Sequence, residues 1–262
     1  EGIPNPFCRC EHCLKARKLA GKDIRTHSSA IVDDIMLIDV SPTFSYQLMR
    51  DGMDATHFES LLFTHTHPDH FNVGELFSRM EGYGFEINHP LHIFGNDRAI
   101  NGCIEVLPGY TKERFAFHCL IPFVTVERNG YKITPLLANH AKWELCYVYH
   151  IEKDGKAIFY GHDSGWFPEL TWQWLENKPL DIVVFECTYG LNGKDRTDNH
   201  MSLETVFAAK EKLQQQGCLH QATQIVVSHI SHSGKLLHHE LETVCAPHHI
   251  RVAYDGLTLE TN

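Results

Sequence analysis

Residues 64–70 read Thr-His-Thr-His-Pro-Asp-His and put four metal-capable side chains, His65, His67, Asp69 and His70, into six positions. Imidazole nitrogens and carboxylate oxygens are the usual donors to zinc and similar divalent ions. The run follows the apolar 61–63 and precedes a helix-like 73–77, so it falls where a short buried strand runs out into a loop. Pro68 stiffens the turn between the halves and removes one backbone donor. In a chain of 262 residues with 20 histidines, one histidine here would mean little. Four donors at spacings of two, two and one make a poor core and a good metal loop.

The elements that must position this loop are legible as apolar runs. Strands are expected at 35–39, 61–63, 91–94 and 133–137, the first ending in an acid. A hairpin is expected at 146–151 and 157–160, turned by Lys153-Asp154-Gly155. Buried strands follow at 181–185 and 224–227, with a closing pair over 251–259 around Asp255-Gly256. Helices are expected over 14–20, 168–176 and 203–215, the last capped by Ser202. Several strands stop just short of a potential ligand: Phe63 before His65, Leu137 before His140, Tyr160 before Asp163, Val227 before His229. Neighbouring strand ends can bring such side chains to one edge of a rigid sheet.

Composition bounds the function classes. With 43% hydrophobic and 21% charged residues the chain reads as an ordinary globular protein, and a single domain over 1–262 is expected. A formal net charge of -10 disfavours nucleic acid as partner, because phosphate backbones want clustered Lys and Arg. It leaves room for a small anionic substrate, since bound cations reverse the local field. No apolar run approaches a membrane span and no basic-then-apolar signal segment opens the chain, so a cytoplasmic location is expected, with an amino-terminal segment lost ahead of Glu1. Nine cysteines, an odd number, suit a reducing compartment. Three of them, Cys8, Cys10 and Cys13, crowd into one stretch, one thiolate short of the four ligands that structural zinc prefers.

The run His65-x-His67-x-Asp69-His70, followed in order by His140, Asp163 and His229, resembles the metallo-beta-lactamase superfamily over most of the chain. The resemblance implies an αββα sandwich with a dinuclear metal site. Carried over, His65, His67 and His140 hold one ion, Asp69, His70 and His229 the other, and Asp163 bridges both. Zn, Mn and Fe all suit such donors. Cys8-x-Cys10-x-x-Cys13 and the pair His229 and His232 further resemble a subgroup, the phosphodiesterases of the carbon–phosphorus lyase pathway, which open 5-phosphoribosyl 1,2-cyclic phosphate. The likeness implies a structural zinc on Cys8, Cys10, Cys13 and His232. It also implies His200 as general acid or base, with Asp69 counted as catalytic beside it, and Lys142 as a contact to phosphate. The expected activity is dinuclear hydrolysis of a small cyclic or diester phosphate, in a chain that can form a homodimer. His162 is set aside because neighbouring strand residues point to opposite faces.

Other hydrolyses share this resemblance, so lactones and thioesters stay open as substrates. A non-catalytic metal-binding protein would need degraded ligands, and none of the seven positions is degraded. The segment 187–196, which should border the pocket, departs from the phosphonate-pathway pattern; Tyr189, Lys194 and Arg196 there can contact a phosphate or sugar or decorate a loop.

Overall fold

A computed structural model describes residues 1–193 and 198–261. The chain divides into two compact units, residues 26–121 and residues 1–25 with 122–262. The second unit contributes the first helix, α1 (Glu11–Leu19), which starts three residues before the expected 14–20 because Cys10 caps it, its sulfur accepting from the Cys13 N–H.

Residues 26–121 build a five-stranded sheet in the order β1 (Ala30–Val32), β2 (Met36–Ile38), β3 (Ser60–Leu62), β4 (Leu91–Gly95), β5 (Phe115–Cys119). Only the β1–β2 pair is antiparallel; the rest run parallel, with Ile38 opposite Leu62 and Leu62 opposite Phe94. Parallel strands buried on both faces read as continuous apolar runs, which is why 36–38 and 60–62 show no alternation. Two helices that the apolar pattern alone did not reveal, α2 (Phe44–Asp51) and α3 (Asp97–Val106), belong to this unit. Asn96 starts α3 by accepting from the Ala99 N–H, and its inner face is Ala99, Ile100 and Cys103. The stretch 73–77 is a 3-10 helix, Val73–Arg79.

The other unit carries a seven-stranded sheet, β6 (Val126–Arg128), β7 (Tyr131–Leu137), β8 (Tyr147–Lys153), β9 (Lys156–Gly161), β10 (Leu180–Glu186), β11 (Leu219–Ser228) and β12 (Ile250–Val252), neighbours in sequence order. The β8–β9 hairpin turns at Asp154-Gly155 as expected, with both residues at positive φ. Its helices are α4 (Glu169–Leu175), α5 (Leu203–Gln215) and α6 (His238–Cys245). Ser202 caps α5 by accepting from Thr205 N–H, as its sequence position suggests. The closing pair over 251–259 is not formed: only β12 pairs, parallel to β11, and Asp255-Gly256 is a plain turn. The five residues after Val252 include Tyr254, Asp255 and Gly256 but no apolar alternation to hold a further strand. The core is aromatic: Phe167 meets Phe159 and Trp172 at 5.2 Å each, and burying one such ring stabilises by about 2–3 kcal/mol.

One buried base makes this core sensitive to acid. His150 on β8 is 4% exposed, its ring 5.0 Å from Trp174. Burial pushes its pKa down to about 4. The unfolded chain takes up a proton near pH 6.5 while the folded chain resists until about 4, so the stability is present above pH 6.5 and lost as the pH falls through that window. The full effect is about 3 kcal/mol. Urea midpoints measured from pH 7 to 4.5 should therefore fall less steeply for His150→Gln than for the parent; equal slopes would remove His150 as the source.

Candidate metal centre and active site

In residues 26–121 the metal loop leaves β3 through Phe63 and Thr64. Parallel pairing of β2 with β3 sets Asp39 beside that exit, and a φ of 60° there swings the chain out of the sheet. Asp39 is fully buried. Its Oδ1 accepts from Thr64 N–H at 2.8 Å, and its Oδ2 from Thr64 Oγ1 at 2.8 Å and His70 Nδ1 at 2.7 Å. Burial pushes the Asp39 carboxyl up, with His70 and Thr64 pulling against it.

These contacts decide which ring nitrogen each histidine presents. A carboxylate only accepts, so His70 keeps its proton on Nδ1 and turns Nε2 outward, 3.7 Å from Asp69 Oδ2. The Thr64 hydroxyl donates to Asp39 and thus accepts from His65 Nδ1 at 2.9 Å. His65 therefore also presents Nε2, and that atom lies 2.9 Å from His67 Nδ1. Two ring nitrogens this close can serve one cation.

In the other unit, strand direction gathers the site. β7 runs antiparallel to β8, and β8 to β9; β9, β10 and β11 are mutually parallel. The ends of β7, β9, β10 and β11 accordingly share one edge, which brings together His140, Asp163, Glu186 and His229. Asp163 and His229 adopt φ of 51° and 47°, left-handed conformations that carry them off their strands. His140 Nδ1 donates to the Asn199 carbonyl at 2.8 Å, so Nε2 is the atom facing Asp163 Oδ2 at 3.9 Å. Thr188 Oγ1 donates to the His229 carbonyl at 3.1 Å and accepts from His229 Nδ1 at 2.8 Å, a nitrogen also 3.1 Å from Asp163 Oδ1.

His200 joins this set. Its Nδ1 lies 2.8 Å from Glu186 Oε1, and the fully buried Glu186 also accepts from Met201 N–H at 2.9 Å and Thr188 N–H at 2.7 Å. Burial works against the protonated ring, but the Glu186 bond and the charges of Glu186 and Asp163 outweigh it, so His200 sits above the ordinary histidine range. The ring meets His140 at 4.8 Å and lies parallel to His229 at 5.7 Å. His162, set aside on strand alternation, packs its edge on His229 at 5.0 Å. Residue 162 lies just beyond β9, which stops at Gly161, so strand alternation does not govern its direction.

The thiol cluster assembles within the same unit. Cys8, Cys10, Cys13 and His232 offer donor atoms all within 4.8 Å of one another. His232 Nδ1 is 3.7 Å from Cys8 Sγ and 3.5 Å from Cys10 Sγ, while its Nε2 faces Glu1 at 3.3 Å. The Cys13 N–H at the start of α1 is the main reason the Cys10 thiol drops to about 6, whereas burial pushes Cys13 up to about 11. Arg17 clasps the loop by donating to the carbonyls of Cys8 and Asn5. Three thiols and one imidazole at this spacing suit tetrahedral zinc. Around the other sites, the histidines with buried acceptors behind them suit a divalent ion equally well.

Lys142 is exposed on the segment after His140, and Lys194 and Arg196 lie outside the described residues. The anchors Asp39, Thr64, Glu186, Thr188 and Asn199 were not singled out from sequence. Two left a trace, since Asp39 and Glu186 are acids that directly follow apolar runs.

Residues 35–230 match the family described as the beta-lactamase superfamily domain. No curated protein matches the sequence. Among solved structures, a diphosphatase from the PhnP family is 24% identical with a TM-score of 0.76, over 100% of this chain and 93% of that one. Zn-bound PqqB from Methylobacterium extorquens is 18% identical, TM-score 0.75, over 99% and 96%. The short form of human tRNase Z is 14% identical, TM-score 0.65, over 90% and 93%. At these identities the likeness is one of fold, and it agrees with the expected metallo-beta-lactamase αββα class, as do the two sheets and their helices.

Proposed function

Because the chain belongs to the beta-lactamase superfamily, and its metallo-beta-lactamase fold implies divalent metal ions, we propose that this metal-dependent hydrolase cleaves a small cyclic or diester phosphate. 5-Phosphoribosyl 1,2-cyclic phosphate is the first substrate to try. The observation that carries the reading is His200, bound by Glu186 at 2.8 Å beside His140, Asp163 and His229: a proton donor built into a ligand set. The thiol cluster with His232 adds weight, since it is what the sequence shares with phosphodiesterases of the carbon–phosphorus lyase pathway, and a diphosphatase from the PhnP family has the same fold.

In this reading His65, His67 and His140 would hold one ion, Asp69, His70 and His229 a second, and Asp163 would serve both. When bound, such ions make hydroxide available near neutral pH and offset the phosphate charge. The residues do the rest. Asp39, Thr64, Thr188 and the Asn199 carbonyl hold four imidazoles in one tautomer. Asp69 orients the attacking water. His200, protonated through its bond to Glu186, gives its proton to the departing sugar oxygen, and Glu186 stabilises the imidazolium before transfer. Lys142 contacts a phosphate oxygen.

Turnover of bis-p-nitrophenyl phosphate and of the cyclic phosphate, with Mn or Zn added, tests this against lactone and thioester panels. Phosphodiester turnover at least tenfold above the other classes is expected; turnover of thioesters or lactones alone would sink the proposal.

A further inference from the structure

We propose that Tyr189 and Asn199 form a latch that sets the metal ligand His140 and the acid His200 together, making both positioning residues. The inference rests on the roles given to His140 and His200 above. Asn199 has a φ of 48°, a left-handed conformation that asparagine tolerates better than most residues. Its carbonyl receives His140 Nδ1 at 2.8 Å, while its side-chain Oδ1 accepts from the Tyr189 hydroxyl at 2.9 Å. The backbone thus serves one histidine, and the next residue in the chain is the other.

Tyr189 is itself fixed from several sides. Its N–H donates to the Met201 carbonyl at 3.0 Å, and Leu203 N–H donates to Gly190 at 2.8 Å, pairing the two segments around Asn199. Gly193 lies so close to the tyrosine ring that an added Cβ would come within 3.1 Å of it, and its φ of 76° favours glycine. The ring meets His200 edge-on at 5.6 Å. His200 has its own anchor in Glu186; His140 depends on where the Asn199 carbonyl points. Loosening the latch should therefore free the His140 tautomer and shift the chain entering His200, with no direct effect on substrate binding.

The test uses the metal-loaded full chain with Tyr189→Phe, Asn199→Gly and the double variant. Manganese retention is read by chelator competition and elemental analysis, and kcat and KM on bis-p-nitrophenyl phosphate. Each single variant should hold manganese about tenfold less tightly, the lower end of what losing a ligand's hydrogen-bond partner costs. Each should also lose kcat with KM little changed. The double variant should lose no more than the worse single one, because both remove the same bond. Zinc on the thiol cluster should stay. Parental manganese retention in both singles, additive losses, or equal loss of the thiol-bound zinc would overturn the latch. A parent protein inactive on phosphodiesters would count against the proposed function, while the retention measurements would still decide the latch.

Discussion

Replacing His200 by alanine is expected to leave the metal content intact and to lower phosphodiester turnover by roughly two to four orders of magnitude. The expectation follows from how His200 is held. Its Nδ1 is taken by Glu186, whose two oxygens also accept from the backbone at Thr188 and Met201, so the ring has one orientation and one proton to give. The deficit should depend on the leaving group. p-Nitrophenolate departs with little help from an acid, whereas a sugar alkoxide needs the proton, so His200→Ala should hurt the cyclic sugar phosphate more than the nitrophenyl diester. His200 Nδ1 also lies 3.6 Å from Asp163 Oδ1, close enough that the ring could belong to the ligand set. Elemental analysis separates the two roles: loss of metal in His200→Ala would make it a ligand, and a nearly full rate would remove it from the chemistry.

If Cys8, Cys10, Cys13 and His232 hold a zinc, as their spacing suits, replacing Cys10 by serine should cost the protein that zinc and much of its stability, with intrinsic turnover retained in the molecules that stay folded. Structural zinc in small peptides contributes an apparent binding free energy of about 10–16 kcal/mol. Even a fraction of that is large against a total stability of about 5–15 kcal/mol. The cluster joins the segment before α1 to His232, a late position just past β11, so removing the metal unties the amino terminus from the sheet edge. A fall in Tm of more than about 10 °C is expected, measured by calorimetry beside zinc content. If the active-site metals disappeared in equal measure, the two sets of ligands could not be separate sites.

The candidate ligands stand out in the sequence because their residue types are chemically narrow and several follow directly on apolar runs. The strands around them were found for the same reason, to within a residue or two at 61–63, 91–94 and 181–185. What the sequence hid were the anchors. Thr188 and Thr64 are ordinary residues by composition, and their role depends on a hydroxyl proton already committed elsewhere, to the His229 carbonyl and to Asp39. Asn199 acts through its backbone carbonyl, which every residue possesses. Helix α3 was missed because three buried positions, Ala99, Ile100 and Cys103, make too thin a stripe to stand out. The last strand pair was overread from Asp255-Gly256, a turn signal with nothing to pair across it.

Asp39, Asp163, Asn199 and His229 share a property unrelated to their hydrogen bonds: all four lie in the left-handed region of backbone space. For a residue with a side chain that conformation costs on the order of 1–3 kcal/mol, and glycine would adopt it freely. Glycine would relieve that strain but not replace the side chains: at Asp39 it would leave the Thr64 N–H, the Thr64 hydroxyl and His70 Nδ1 without their buried acceptor, so relief and loss compete at each position. A library screened for folding and then for hydrolysis would separate the two: a position where glycine folds but does not turn over keeps its side chain for the chemistry alone.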